Sequence, residues 1–223
     1  SGRSSTLQIG LPEQVALVSG VPVVSGFRSA DTAAGGEGAP LSPILDLALF
    51  GARGALVLNL GGIANLTGIA SGGDPDRVLG LDVGPGNMLL DGLVCRASNG
   101  KQTRDTGGAL ARRGWICIPL LVHALAYPPL ARRKTRSIGR EEFGERYLRY
   151  FLEGARGMRL RLEDLLATAA TVTAECASRS LPRGAEDGRF GKTLWICGGG
   201  VHNRAVVEEL EWRLEARGYR VRP

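Results

Sequence analysis

The sequence predicts an α/β chain in two lobes, and three observations predict it. Residues 55–60 are apolar apart from Asn59, the length of a strand covered on both faces, and they run directly into Gly61-Gly62. A second short apolar run, 78–81, meets the turn Gly80-Leu81-Asp82-Val83-Gly84-Pro85-Gly86-Asn87, and a third, 193–197, meets Gly198-Gly199-Gly200 ahead of a helical stretch. Glycine at a strand end leaves backbone amides bare, and bare amides can face an anion. Three such junctions in one mostly α/β chain are what a two-lobed nucleotide cleft requires. Each turn taken alone also has a conformational reading, because hairpin tips, Asx turns and helix caps favour Gly, Asn and Asp.

In chain order, 6–9 and 21–25 read as short strands around a helix at 12–18 that has Pro12 near its start, a β-α-β piece. Phe27-Arg28-Ser29-Ala30-Asp31 is expected as a polar loop leading into Gly35-Gly36-Glu37-Gly38-Ala39-Pro40, where no regular element persists, so Asp31 is placed on a loop between lobes. Residues 41–50 have the apolar spacing of a helix. Strands near 55–60, 65–70 and 78–81 then form an antiparallel meander, with Gly61-Gly62 and Ser71-Gly72-Gly73-Asp74-Pro75-Asp76 as its turns. The first turn is expected to use backbone angles that a side chain would forbid, with Asn65 and Thr67 adding donors on the returning strand. Asp82 sits where a carboxylate could hold a hydrated magnesium ion, and Asn87 where it could cap the next helix or face a phosphate.

That helix, 88–97, places Met88 and Leu89 in the core. Helical stretches at 109–113 and 118–126 carry His123 among apolar neighbours as a structural histidine, and Tyr127-Pro128-Pro129 ends them. An exposed basic connection at 131–140 precedes helices at 142–152 and 162–180 and a loop at 182–191. A strand at 193–197, a helix at 205–217 and a final strand at 219–222 complete the α/β layer.

Composition removes several function classes. With 43% hydrophobic but only 5% aromatic residues, the 223-residue chain has an aliphatic core. No apolar run is long enough to cross a bilayer and Ser1-Gly2-Arg3-Ser4-Ser5 is no signal sequence, which predicts a cytoplasmic protein without membrane contact. Cys95, Cys117, Cys176 and Cys197 form no CxxC pair and are expected as reduced core thiols. The formal charge of +6 is mostly arginine spread along helices and gathered at Arg132-Arg133-Lys134-Thr135-Arg136, without the interleaved aromatics of a single-strand binder, so no nucleic acid is expected.

The hairpin Leu58-Asn59-Leu60-Gly61-Gly62-Ile63-Ala64-Asn65, the Asp82 turn and the Gly198-Gly199-Gly200 turn, in this order, resemble the 1,6-anhydro-N-acetylmuramic acid kinase family. Thr6-Leu7-Gln8-Ile9-Gly10 and Asp31-Thr32-Ala33-Ala34-Gly35-Gly36-Glu37-Gly38-Ala39-Pro40 extend the resemblance over nearly the whole chain, and Lys134, Gly139, Arg140 and Glu141 match a further stretch imperfectly. The resemblance implies the two-lobed actin-like ATPase fold (ribonuclease H-like), with 1–40 as a remnant of the first lobe plus the interlobe loop and 41–223 as the nucleotide-binding lobe. It implies a kinase that uses ATP and Mg2+ on a small sugar, with a homodimer allowed. By the same resemblance Asp31 is the catalytic base, and Gly61, Gly62, Asn65, Asp82 and Gly84 surround the phosphates, Asp82 also serving the metal. Gly198, Gly199 and Gly200 would lie against adenosine, and Arg28 against the sugar's carboxylate.

Four departures qualify the match. Glu37 stands where the family has Gln, Val83 where it has Thr and Gly26 where it has Asp, and no counterpart of the family's N-terminal Gly-Thr-Ser-Met-Asp-Gly loop is present. That absence, together with a chain that stops at Arg222-Pro223 before the family's closing helix, suggests a chain truncated at both ends. Two alternatives to a kinase follow: a non-catalytic nucleotide- or sugar-binding remnant, and a module in which the glycines serve folding alone.

Overall fold

The computed structural model describes residues 9–36, 38–131, 140–181 and 189–223, with the backbone alone for Ala131, Arg140 and Glu141. Expectations for 6–8, for Glu37, for the basic run with Lys134 and Gly139, and for most of the 182–191 loop fall outside those residues. The chain divides into two compact units, Ser1–Leu41 and Ser42–Pro223.

The first unit holds two helices, α1 (Pro12–Ser19) and α2 (Phe27–Ala33), neither of which buries a residue. The expected strand at 21–25 does not form. A strand needs a partner for its backbone groups, and the one sheet of the described residues takes no strand from this segment. Arg28 and Asp31, expected on a loop, lie on α2 instead. With no Gly or Pro between Phe27 and Ala34 the helix is locally allowed, and it starts at Gly26, whose φ of 78° lies in the left-handed region. That angle accounts for glycine at a position where the family has Asp.

The second unit is a five-stranded sheet: β1 (Ala55–Leu60), β2 (Ile63–Ile69), β3 (Val78–Pro85), β4 (Thr193–Cys197) and β5 (Arg220–Arg222), ordered β3-β2-β1-β4-β5. β3, β2 and β1 pair antiparallel, whereas β1, β4 and β5 run parallel. One face is apolar throughout: Leu56, Leu58, Leu60, Leu66, Leu194 and Ile196 join the main core. Onto that core pack α4 (Asn87–Ala97), α5 (Ile118–Leu125), the short α6 (Pro128–Ala131) and α7 (Arg140–Phe143), α8 (Glu145–Gly154), α9 (Leu162–Arg179) and α10 (Arg204–Glu215). The other face carries α3 (Ser42–Phe50), whose Phe50 stacks on Trp195.

α9 is the central helix, and most of its residues are buried. Its buried threonines donate to carbonyls four residues back, Thr168 to Asp164 and Thr171 to Ala167, which satisfies hydroxyls that would otherwise cost stability in the core. Asp164 in its first turn accepts from the Trp115 and Arg161 amides and from the Arg161 guanidinium, and these bonds hold its carboxyl down at about 2.

Boundaries differ from expectation where pairing or glycine decides. β3 continues through Asp82, Val83 and Gly84 to Pro85 instead of turning at Leu81, because β2 starts at Ile63 and offers partners that far. A bulge between Ala64 and Asn65 absorbs the extra residue, Val83. Val83 itself is buried in the core, where a threonine hydroxyl would need a partner. Gly144 splits the helix expected at 142–152 into α7 and α8. Residues 109–113 make only a 3-10 turn, Ala111–Arg113. All four cysteines are free, but only Cys176 is a buried thiol; Cys95 and Cys197 are exposed, since one ends the outer turn of α4 and the other ends β4. His123 is structural as expected, its Nε2 3.0 Å from the Tyr150 carbonyl while the Tyr150 hydroxyl returns a bond to the His123 carbonyl.

Candidate functional site

β1, β3 and β4 all finish at the same end of the sheet, because β3 is antiparallel to β2 and β4 is parallel to β1. Topology alone therefore brings the three glycine turns together. Their contacts are direct: the Gly86 and Met88 amides donate to the Gly62 carbonyl at 3.0 and 3.1 Å, and the Asn87 amide donates to the Gly61 carbonyl at 2.8 Å. A Cβ at Gly86 would overlap the Gly61 carbonyl oxygen, one at Gly198 would overlap Asn59 Oδ1, and one at Gly200 would come within 2.5 Å of Leu60 Cβ.

The hairpin tip corrects one expectation. Neither Gly61 nor Gly62 has a positive φ, so no forbidden backbone angle is in use there. Crowding is the constraint instead, and it is mild: an added Cβ would stand 3.3 Å from the Ile63 carbonyl at Gly61 and 3.3 Å from Met88 Cε at Gly62. Gly84 combines a positive φ with close approach to α9, where a Cβ would be 3.0 Å from Cys176 Cβ. Asn87 neither caps α4, whose cap residue is Gly86, nor is left open: its Nδ2 donates to the Leu60 carbonyl at 3.0 Å.

Across the α3 face of the sheet, Asp82, Asn65, Asn59 and Cys197 are register partners on four successive strands. Partners directly opposite share a face, so this is one polar row at the converging end. Ser42 donates to Asn65 Oδ1 at 3.4 Å, and Thr67 donates to Asp46 Oδ2 at 2.6 Å. Burial pushes the Asp46 carboxyl up, with the Thr67 bond opposing it; Cys197 is exposed as a residue, but the partial desolvation of its sulfur among the strand ends, with Asp46 nearby, pushes the thiol up. Sequence reasoning missed Asn59 and Asp46; the signal for Asn59 was its being the single polar residue in an apolar strand.

Beside the turns lies a cavity of about 370 Å³ lined by Asn87, Asp91, Arg104, Thr106, Gly199 and Asn203, among others. That volume is within the range of small-molecule sites. Burial raises the Asp91 carboxyl and the Arg104 guanidinium beside it opposes the shift. The loop carrying Arg104 is fixed by Asp105, which accepts from the Leu110 and Ala111 amides at 2.9 Å, and by Gly108, where a Cβ would overlap Asn203 Oδ1. Asn203 caps α10 through Val206. None of the Arg104–Thr106 residues carries a sequence signal, because their role depends on where the loop returns.

In the Ser1–Leu41 unit, Asp31 and Arg28 grip one residue from both sides. The Gly38 amide donates to Asp31 Oδ2 at 2.7 Å, and Arg28 Nη1 donates to the Gly38 carbonyl at 2.6 Å. A Cβ at Gly36 would overlap the Asp31 carboxylate. Thus the structure gathers Gly61, Gly62, Asn65, Asp82, Gly84 and Gly198 to Gly200 in one unit, and Arg28 with Asp31 in the other.

The family model for anhydro-N-acetylmuramic acid kinase matches residues 1–221. The chain belongs to that family. It is 39% identical over 211 residues to the anhydro-N-acetylmuramic acid kinase of Salinibacter ruber, covering 93% of this chain and 52% of the relative. The kinase of the same description from Bordetella avium is 40% identical over 208 residues, covering 92% and 53%. The one from Synechococcus sp. is 39% identical over 230 residues, covering 99% and 58%. The chain therefore spans a little over half the length of these members of the family.

Proposed function

We propose that the chain carries the nucleotide-binding lobe of an actin-like ATP-dependent kinase that opens 1,6-anhydro-N-acetylmuramic acid with water and phosphorylates its 6-oxygen. The observation that carries this reading is the convergence of three glycine turns beside a cavity at one sheet end, in a chain of this family. The phosphates lie at Gly61, Gly62, Asn65, Asp82 and Gly84, and adenosine at Gly198, Gly199 and Gly200. Asn59, in the same polar row, joins the phosphate side.

In this reading Asp31 takes a proton from water as its oxygen attacks carbon 1 of the sugar. Asp31 suits the role: Oδ2 is held by the Gly38 amide, and Oδ1 accepts no hydrogen bond among the described residues. The bond from carbon 1 to the bridging oxygen breaks, and that oxygen attacks the γ-phosphorus of ATP, giving N-acetylmuramic acid 6-phosphate and ADP. Amides at the hairpin stabilise charge on the phosphates through electrostatics. Arg28 holds the loop that carries the Gly38 amide and, in this reading, also faces the sugar carboxylate.

Magnesium fits with a small share for protein. Among the described residues no three His, Cys, Asp or Glu side chains gather as a metal site. In this reading the cation would be held mostly by phosphate oxygens and water, with Asp82 as its carboxylate. When bound, magnesium neutralises charge on the β- and γ-phosphate oxygens.

The reading includes a cytoplasmic location, where ATP is available, and a part in reusing cell-wall sugars. Among the described residues no helix is long and apolar enough to cross a membrane. The test is ADP release from MgATP with and without 1,6-anhydro-N-acetylmuramic acid. Sugar-dependent release that falls by about a hundredfold or more in Asp31→Asn supports the kinase. A chain that binds MgADP but never turns over supports the binding remnant instead.

A further inference from the structure

At the converging sheet end, Asn87 is joined to the hairpin twice. Its backbone amide donates to Gly61 and its side-chain Nδ2 to Leu60, the last residue of β1. A carbonyl can only accept, so the Leu60 oxygen fixes which way the amide group faces and turns Oδ1 to the opposite side. The triple-glycine turn lies against the same amide group: a Cβ at Gly200 would be 3.0 Å from both Asn87 Oδ1 and the Leu60 oxygen, and one at Gly199 3.9 Å from Nδ2. Asn87 and Gly199 also line the same cavity.

The neighbouring amides give this residue its importance. At the start of α4 the amides of Asn87 and Met88 are already bonded to the Gly61 and Gly62 carbonyls, so that helix end does not receive an anion through them. What those bonds do is set where the hairpin stands relative to α4. The Asn87 side chain also stands beside the third turn.

We infer that Asn87 is a positioning residue that registers the Gly61-Gly62 hairpin against the Gly198-Gly199-Gly200 turn, so that one nucleotide is held by its phosphates and its nucleoside together. This rests on the nucleotide reading given above and names the residue that joins its two halves. Alanine at this position removes the Leu60 bond. Aspartate keeps the shape but sets a carboxylate against the Leu60 carbonyl, so it also breaks the bond.

The experiment compares MgADP and adenosine binding by calorimetry for the chain, Asn87→Ala and Asn87→Asp, with Tm measured on each. The inference predicts that the preference for MgADP over adenosine falls roughly tenfold in both variants, equivalent to about 1.4 kcal/mol, while adenosine affinity changes much less. Equal weakening of both ligands, tracking a lower Tm, would show a merely structural residue and overturn the inference. An unchanged preference in variants that bind would overturn it as well. Failure of the unsubstituted chain to bind MgADP would sink the nucleotide reading itself, a distinct result that takes the inference with it.

Discussion

At the converging sheet end, backbone meets backbone: Gly86 lies on the Gly61 carbonyl, Gly200 on Leu60, and turn amides bond to turn carbonyls. In the Ser1–Leu41 unit neither helix buries a residue, and Asp31 and Arg28 are held by two side-chain bonds to Gly38. The first region fixes geometry through packing that the whole lobe shares. The second fixes it through a few local bonds. A substitution in the first should therefore act on folding, and one in the second on chemistry with folding spared.

Gly86→Ala gives the largest effect. Its Cβ would meet the Gly61 carbonyl, a backbone atom that cannot swing away, and a loss of about 3 kcal/mol or more is expected by denaturant melts. A variant as stable as the parent would break the comparison at its stronger side. Gly36→Ala is the matching glycine of the other region, where the three atoms nearest the new Cβ all belong to the Asp31 carboxylate. Sugar-dependent turnover should drop by roughly a hundredfold from misplacement of the base, with the melting curve unmoved. A joint loss of stability and activity would erase the distinction.

Acid sharpens the packed side. Asp164 has its carboxyl lowered from 3.8 to about 2 by Arg161 and by the Trp115 amide. A carboxyl lowered on folding adds stability above its unfolded value, and that stability is lost as pH falls from 3.8 through about 2. Asp164→Asn should flatten this part of the profile of Tm against pH. The smallest effect is expected for Gly62→Ala, at the same sheet end as Gly86 but with an ordinary φ and only the flexible tip of Met88 nearby. Its stability should change by less than about 1 kcal/mol in either direction.

Legibility in the sequence followed the same division. β1 and α9 were readable because each is buried on most sides, so apolar runs and helical spacing carry a strong signal, and β4 because its apolar run ends at the triple glycine. The three turns were readable as turns, and only the sheet order shows that they meet. The strand expected at 21–25 failed because Val21, Val23 and Val24 meet no partner strand among the described residues. Asn59, Asp46 and Arg104 went unread for another reason: register across β1, packing of α3 and the return of a loop place them, and none of these is a local pattern.

The most direct test of the account is amide hydrogen exchange on the chain with and without MgADP. Slowed exchange at Gly61, Gly62, 82–84 and 199–203, with 111–123 unaffected, is the predicted result, since ligand binding stabilises the segments it orders. Slowing confined to other segments, such as those around the Ala111, Arg112 and Glu208 cavity, would contradict the claim that the three turns form the nucleotide site.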